Sequence, residues 1–212
     1  MLSDKELYEM CINEDASWKE AESCKEADPG VLITPFDPLQ IGPASIDLTI
    51  DSIFVSPDDL KILLLRDGCF EESFIINKNT QIDTKSLIKS IFNKKDISIE
   101  VILQPRQVIK CQSIEYIRIP PNAIGTLYTR SSFARDWLNH STATLLNPGF
   151  SGNITFELIN QGPDEYKLKA NSRPIHMAIQ RLSGICTKPY YAQKSAKYQR
   201  QKIQLDSLMK EG

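Results

Sequence analysis

Short apolar runs separated by proline or glycine dominate the second half of this 212-residue chain, and they constrain its fold most strongly. Several of these runs alternate apolar and polar side chains, a period of two that puts the apolar residues on one face of a β-strand. Strand-sized runs at this spacing predict a mainly β domain, either a sandwich or a barrel. The predicted strands are 45–50, 97–103, 107–111, 115–119, 123–128, 143–146, 153–160, 165–170 and 176–185.

The N-terminal residues depart from this pattern. Ser3 and Glu6 have the spacing of a capping box, and the apolar residues that follow predict a short helix. The next segment, 13–28, is strongly acidic, and we expect it to be a solvent-exposed face or loop. In the strand predicted at 45–50, we expect the carboxylate of Asp47 to point outward or to accept from a neighbouring amide.

The segment 57–95 is the least regular part of the sequence. It contains polar turns, short apolar runs at 62–65 and 74–76, and a predicted helix at 85–92. We therefore expect it to be an insertion in an otherwise regular β domain.

Composition excludes several classes of partner. The 27 acidic and 25 basic residues give a net charge of −2, so no overall positive field attracts nucleic acid or an acidic membrane. No apolar run approaches the roughly 20 residues of a membrane helix, and the acidic N-terminus lacks the zones of a secretory signal. These features predict a cytoplasmic protein. The five scattered cysteines, without a C-x-x-C pair, predict free thiols in a reducing compartment, several of them buried.

Several common catalytic motifs are absent from the sequence. It contains no phosphate loop, no G-x-G-x-x-G and no G-x-S-x-G. Its two histidines, His140 and His176, stand in no H-x-E motif, and P-C-x-x-C is also missing, so the zinc-binding pattern of nucleobase deaminases is not present. A base deaminase built on this chain would act without zinc, and we expect both histidines to be structural.

The stretch 129–161 contains the residues best suited to a nucleotide site. Arg130 offers a planar set of donors that suits phosphate, and the two serines after it could complete an anion nest. Ser132 or its neighbour could cap a short helix that ends near Arg135. The alternative interpretation, an ordinary capped surface helix, remains open at this point.

Glu157 lies in the alternating strand 153–160. The alternation places Ile154, Phe156 and Leu158 on one face and Thr155, Glu157 and Ile159 on the other. If the second face lines a pocket, Glu157 can act as a general acid and base. If that face meets solvent, Glu157 is an ordinary surface carboxylate, and the residues alone do not decide between the two.

Together these motifs resemble those of one enzyme family. RSSFAR followed by HSTATLLNPGFSGNITFE resembles the dCTP deaminase branch of the dCTP deaminase/dUTPase superfamily, and SDKEL, IGPASIDLTI and AKYQRQ extend the resemblance in the same order. The resemblance covers most of the chain except 57–95. It implies one domain over 1–212 with a distorted jelly-roll-like, dUTPase-like β-barrel, a short N-terminal helix and few other helices. It also implies a homotrimer with active sites at the subunit interfaces.

The resemblance further implies an activity and roles for individual residues. The activity is hydrolytic deamination of dCTP to dUTP and ammonia in dUMP and dTTP precursor metabolism, with Mg²⁺ on the triphosphate and no zinc; dTTP inhibits many relatives. Glu157 matches the catalytic acid and base, and Ser131 and Arg135 match residues that position the water and stabilise the intermediate. The C-terminal segment 188–212, basic and aromatic, matches a segment that closes over the nucleotide and that phosphate could order. The matched substrate-binding positions are Arg130, Ser132, Ala143, Asn147, Thr155, Phe156, Tyr190, Lys197 and Gln201.

Asn147 is the clearest departure from the family pattern. The family has aspartate before Pro-Gly, and in dUTPases that carboxylate activates the water that attacks the phosphate chain. An amide has no such basic group, which argues against dUTP hydrolysis and against a combined deaminase and diphosphatase. An asparagine can still hydrogen-bond to a sugar. Thr144-Leu145 and a segment after Arg135 that is one residue short also depart from the pattern, so the preferred cytosine nucleotide stays open.

Two other functions compete with deamination. A dNTP-binding regulator that has lost catalysis is suggested by Asn147, but the presence of Arg130, Ser131, Arg135 and Glu157 together argues against it. A dUTP diphosphatase is disfavoured by Asn147 itself.

Overall fold

The computed structural model describes residues 1–11, 32–54, 59–66, 69–77, 97–98, 100–140, 142–169 and 171–199. The acidic segment 13–28, the helix predicted at 85–92 and the candidate ligand contact Gln201 lie outside the described residues.

β-Strands account for most of the described structure, which confirms the prediction of a mainly β protein with few helices. The strands are β1 (Leu32–Thr34), β2 (Ile46–Leu48), β3 (Ile50–Phe54), β4 (Asp59–Arg66), β5 (Cys69–Asn77), β6 (Ile97–Ser98), β7 (Glu100–Leu103), β8 (Val108–Arg118), β9 (Ala123–Thr129), β10 (Leu138–His140), β11 (Leu145–Leu146), β12 (Ser151–Asn160), β13 (Tyr166–Lys169) and β14 (Ile175–Arg181). The described helices are α1 (Asp4–Cys11), α2 (Ser131–Arg135) and two 3₁₀ turns at Pro38–Gln40 and Tyr190–Ala192.

The strands form antiparallel sheets. The largest has the order β10-β12-β8-β3-β4-β5-β6, with β1 also paired to β8. The second has the order β11-β9-β14-β2, and β13 pairs with β7 in a third. Buried apolar side chains from all three sheets form one cluster, which includes Phe156, Leu127 and Leu168. Closure of these sheets into a barrel stays a prediction from the family resemblance.

The strand predicted at 45–50 is divided at Thr49. Residues before the break belong to β2, which pairs with β14, and residues after it belong to β3, which pairs with β8. At the break, the backbone N–H of Thr49 donates to the buried carboxylate of Glu115, 3.1 and 3.0 Å from its two oxygens. The chain therefore passes from one sheet to the other at Thr49, where the Glu115 side chain accepts the hydrogen bond that a neighbouring strand would otherwise accept.

The two strands predicted at 107–111 and 115–119 are one continuous strand, β8. The prediction placed a break at Ser113, because serine favours turns. Instead Ser113 is fully buried, and its hydroxyl donates to the Glu115 carbonyl at 2.8 Å and accepts from the N–H of Ile154 at 2.9 Å. Because these bonds satisfy the polar groups at an irregular point in the pairing of β8 with β12, the strand continues through it.

Two features near the N-terminal half agree with the sequence. Helix α1 begins with the predicted capping box, in which Ser3 N–H donates to Glu6 at 3.0 Å and Glu6 N–H donates to Ser3 at 3.4 Å. The apolar runs at 62–65 and 74–76 lie within β4 and β5, a hairpin that extends the largest sheet from β3. Whether 57–95 is a family insertion stays a prediction. None of the described helices has the length and apolar character needed to cross a membrane.

Candidate active site

Glu157 lies near the middle of β12, between two neighbouring strands of the largest sheet. The burial of β12 alternates as predicted, with Ile154, Phe156 and Leu158 buried and Thr155 and Glu157 partly exposed. The Thr142 hydroxyl donates to Oε2 of Glu157 at 2.5 Å, which leaves Oε1 without a bond to any described residue. The carboxylate is therefore held in one orientation and has an oxygen available for a ligand.

The partly exposed face of β12 lines a cavity of about 270 Å³, here called the Glu157 pocket. Its apolar side is formed by Leu145, Leu146, Phe150 and Ile154, and its polar side includes Lys110, Asn153 and Thr155. The hydroxyl of Thr155 is buried and has no hydrogen-bond partner among the described residues. A pocket with one apolar and one polar side can bind a flat ring that is partly apolar and has polar groups along its edge. The remaining lining residues are Ala143, Glu157 and Tyr198.

His140 supports the Glu157 segment from the adjacent strand. Its Nδ1 lies 3.0 Å from the Glu157 carbonyl oxygen, its backbone N–H donates to Thr129 Oγ1 at 2.6 Å, and its ring meets Phe156 edge-on at 6.4 Å. The bond to a carbonyl requires a proton on Nδ1, which leaves Nε2 as an acceptor when the imidazole is neutral. These contacts agree with the expectation that His140 is a structural residue, although it lies directly beside the candidate catalytic strand.

The C-terminal segment 188–199 packs against the turn that precedes β12. Tyr190 N–H donates to the Pro148 carbonyl at 2.7 Å, and the Tyr190 ring lies 6.0 Å from that of Phe150. The Tyr198 N–H donates to the Tyr190 hydroxyl at 3.1 Å, and this brings Tyr198 to the Glu157 pocket. The described part of this segment therefore makes these contacts within the chain, and its ordering by phosphate stays a prediction.

Asn147 begins the same turn. Its carbonyl accepts from Phe150 N–H at 3.0 Å, while its side chain is exposed and bonds to no described residue. The amide is therefore free to meet a ligand at the surface of this turn.

Arg130 is already paired within the chain. Its Nη1 lies 3.1 Å from Asp47 Oδ2 and 3.0 Å from the Arg173 carbonyl oxygen. Asp47 lies on the face of β2 opposite the buried Ile46 and Leu48, as expected, but its partner is the Arg130 guanidinium and not a neighbouring amide. Strand pairing brings β2 beside β14 and so places Asp47 within reach of the end of β9. Burial raises the pKa of Asp47, and the Arg130 guanidinium opposes that rise. The pairing uses one terminal nitrogen of Arg130 and leaves its other donors for a ligand.

His176 lies beside this pair, because its register partners are Asp47 on β2 and Tyr128 on β9. Burial lowers the pKa of the imidazole, and the neighbouring Asp47 carboxylate opposes that change. Its Nδ1 is 3.4 Å from Ser45 Oγ, so His176 is a packed strand residue, as expected.

Ser131, Ser132 and Arg135 lie on helix α2, apart from the Glu157 pocket. The three residues are exposed, and Arg135 lines a different cavity, of about 410 Å³, beside Trp137 and Tyr166. The helix begins as predicted, but its N-cap is Arg130 and no side chain caps it, so the expected serine cap is wrong. Within one chain, the residues expected to position water and the residue expected to move protons belong to separate surfaces.

The other candidate contacts are placed as follows. Phe156 is fully buried in the core, so its side chain does not reach the Glu157 pocket and only its backbone remains as a candidate contact. Lys197 is exposed and, like Tyr190, lies in the docked C-terminal segment. Ala143 and Thr155 line the pocket directly.

Three residues that sequence reasoning missed belong to this site. Thr142 and Tyr198 lie within the matched motifs, but nothing in their spacing shows that they contact Glu157 or its pocket. Lys110 is the strand partner of Glu157 in the pairing of β8 with β12, so the two side chains lie on one face. The signal for Lys110 was its alternation with buried neighbours in β8, but only the pairing register identifies what lies beside it.

Cysteine and metal chemistry add little to the site. Cys11, Cys111 and Cys186 are free thiols, as predicted for the described part of the chain, and burial raises the pKa of Cys11 to about 12. Within the described ranges, no three His, Cys, Asp or Glu side chains are grouped so that they could hold a metal ion.

Comparison with known proteins identifies the family. A family model described as dCTP deaminase-like matches residues 18–182. The sequence is 30% identical over 180 residues to a dCTP deaminase, dUMP-forming, of Sulfurihydrogenibium sp., with 84% of this chain and 88% of the relative covered. It is 37% identical over 109 residues to the dCTP deaminase of Buchnera aphidicola, with 51% of this chain and 55% of that relative covered. The chain therefore belongs to the dCTP deaminase-like family.

A solved structure of 2′-deoxycytidine 5′-triphosphate deaminase from Agrobacterium tumefaciens superposes with a TM-score of 0.49 at 15% identity. That superposition covers 85% of this chain and 48% of the other.

Proposed function

We propose that this protein catalyses the hydrolytic deamination of dCTP, with Glu157 as the group that moves protons. The observation that carries the proposal is the position of Glu157 in a pocket of suitable size, with one oxygen fixed by Thr142 and the other available. A positioned carboxylate within hydrogen-bond reach of water is what general acid and base catalysis requires.

The proposed reaction begins when Glu157 takes a proton from a water molecule, and the resulting hydroxide adds to C4 of cytosine. The electrons of the C4–N3 double bond move to N3, which receives the first proton through Glu157. The second proton of the water then passes to the amine, the C4–N4 bond breaks, and ammonia leaves as the C4 carbonyl forms. The overall reaction converts dCTP and water into dUTP and ammonia, with no redox change and no zinc.

A second copy of the chain would complete this site. Ser131 and Arg135, which match the water-positioning residues of the family, lie on α2 and are exposed outside the Glu157 pocket. In a homotrimer, a neighbouring copy could present α2 to that pocket, so that each site uses residues of two chains. The exposed side chain of Trp137, two residues after the end of α2, is also suited to burial in such an interface.

The triphosphate would be bound by the remaining donors of Arg130, by Ser132 and by Lys197, with Mg²⁺ arriving as part of the substrate. Asn147, Ala143 and the backbone of Phe156 would contact the sugar and base, and Tyr190 and Gln201 would belong to the closing segment. A dTTP molecule could occupy the same pocket as an inhibitor. A cytoplasmic location suits this role in the supply of dUMP and dTTP precursors.

The product is proposed to be dUTP, because the amide of Asn147 cannot activate water for attack on the phosphate chain. A dUMP-forming reaction is the second candidate, since a relative named as dUMP-forming aligns with 84% of this chain. A regulator without catalysis is disfavoured, because a sensor would not need Glu157 with Ser131 and Arg135.

Incubation with dCTP and Mg²⁺, followed by ammonia measurement and chromatography, tests these alternatives. Ammonia with dUTP is the expected result, whereas dUMP with pyrophosphate would support the second candidate. Unchanged dCTP, dCMP and deoxycytidine, together with thermal stabilisation by nucleotides, would reject catalysis and support a regulator. Glu157→Gln should abolish ammonia release and retain nucleotide binding, since the amide keeps the shape of the carboxylate but cannot carry the proton.

A further inference from the structure

The side chain of Gln199 joins the C-terminal segment to the turn before β12. Its Nε2 donates to the Gly149 carbonyl at 3.1 Å and to Ser151 Oγ at 2.9 Å. Its Oε1 accepts from the Ser151 N–H at 3.3 Å. Both ends of one amide are therefore used, and all three bonds go to residues about fifty positions earlier in the chain.

The packing around Gly149 is equally close. Gly149 has a φ of +78°, which favours glycine. A Cβ added there would lie 2.7 Å from both Pro189 Cβ and Tyr191 Cδ1. The C-terminal segment thus lies directly against the backbone of this turn, at a distance that only a glycine permits.

This docked segment forms part of the Glu157 pocket. Tyr198, the residue before Gln199, lines the pocket together with Phe150 and Glu157. The same turn carries Asn147 at its start. A change in how the segment docks would therefore alter the pocket and the position of the turn together.

We propose that Gln199 is a positioning residue that fixes the C-terminal segment as a wall of the substrate pocket. This inference rests on the proposed function for its substrate. The contacts that carry it are the three hydrogen bonds of Gln199 and the close packing at Gly149, all of them made within the chain. Residues fixed in advance reduce the ordering cost of binding, so loss of Gln199 should weaken substrate binding more than the chemical step.

Limited trypsin digestion of the full-length protein without nucleotide tests the docking directly. Lys194 and Lys197 are exposed in the segment, and proteases cleave such sites when the surrounding chain opens. We expect Gln199→Ala to be cut there about tenfold faster than the wild type, the change expected for loss of a partly buried, hydrogen-bonded group. Gly149→Ala should also speed cleavage, because the added methyl group would overlap the segment. Gln193→Ala is the matched control, because the Gln193 side-chain amide donates to the Lys188 carbonyl within the segment and not to the turn before β12.

Kinetics on the same variants test the positioning role. Gln199→Ala should raise the KM for dCTP about tenfold with a smaller change in kcat, and Gln199→Glu should restore part of the loss, because its carboxylate can still accept from Ser151. Equal cleavage rates in wild type and Gln199→Ala would overturn the inference. If Gln199 controls cleavage but the wild type releases no ammonia, the proposed activity fails and the docking inference stands. If ammonia is released and Gln199→Ala changes neither cleavage nor KM, the docking inference fails and the proposed activity stands.

Discussion

The hydroxyl of Thr142 lies 2.5 Å from Oε2 of Glu157, at the edge of the Glu157 pocket. Because hydrogen bonds to charged groups are strong and directional, this contact fixes which carboxylate oxygen remains free for a ligand.

Thr142→Val should therefore reduce kcat for dCTP deamination by about tenfold, since the substitution keeps the shape and removes the hydrogen bond. Thr142→Ser should keep most of the activity, because it retains the hydroxyl. Steady-state kinetics with thermal unfolding of each variant would check this, and a Thr142→Val enzyme with unchanged kcat would contradict the role given to Thr142.

The separation of Glu157 from Arg135 predicts complementation between two inactive chains. Glu157→Gln and Arg135→Ala should each be inactive as a pure protein. Co-expressed in equal amounts, they should recover about a quarter of the wild-type sites, since random assembly of a symmetric oligomer places an intact Glu157 opposite an intact Arg135 at that frequency. Ammonia release by the purified mixed oligomer measures this, and complete inactivity would place both residues in a site within one chain.

Asn147→Asp tests the chemical argument about the product. The new carboxylate supplies the basic group that the amide lacks, and the exposed side chain has room for the change. We expect the variant to release more pyrophosphate from dUTP than the wild type, which should release very little. A wild-type enzyme that already forms pyrophosphate at the rate of deamination would show that Asn147 does not block that reaction.

Lys110 lies beside Glu157, and its side chain has no hydrogen-bond or ion-pair partner within the described residues. Its ammonium can donate to an acceptor on a bound ligand. Lys110→Met should weaken nucleotide binding by about tenfold, and Lys110→Arg should weaken it less. Calorimetry with dCTP and dUTP measures the effect, with Lys169→Met, an exposed lysine on β13, as the control. Equal effects of the two lysine-to-methionine substitutions would indicate that binding depends on the overall positive charge and not on the position of Lys110.

Glu115 predicts a pH dependence of stability. Its carboxylate is 1% exposed and accepts from Gln40 Nε2 at 2.5 Å as well as from Thr49. Burial raises its pKa above the ordinary value of 4.5, and the hydrogen bonds only partly oppose this. The folded state therefore holds the proton more tightly than the unfolded state, so the free energy of unfolding falls as pH rises from about 4.5 through the raised pKa.

Urea unfolding of the wild type and Glu115→Gln between about pH 4.5 and 7.5 isolates this effect, because the amide does not titrate in that range. We expect the wild type to lose stability relative to the variant as pH rises. Parallel stability curves for the two proteins would show that Glu115 does not titrate differently in the folded and unfolded states.

The sequence by itself determined the mainly β class, the capping box at Ser3 and Glu6, and the alternation that buries Phe156 and leaves Glu157 on the other face. These depend on local periodicity and short-range hydrogen bonds, so they can be read from neighbouring residues. Local pattern also suggested a break at Ser113, which was wrong because long-range bonds to Ile154 satisfy its polar groups.

Tertiary structure alone decided which distant residues meet. Strand register places Lys110 beside Glu157 and brings Asp47 within reach of Arg130, and no spacing in the sequence predicts either contact. The docking of Gln199 on Gly149 and Ser151 is likewise a long-range event. The separation of Arg135 from the Glu157 pocket is also visible only after folding. The physical reason is that periodicity specifies which face of a strand is buried, whereas the pairing of strands and loops specifies what that face meets.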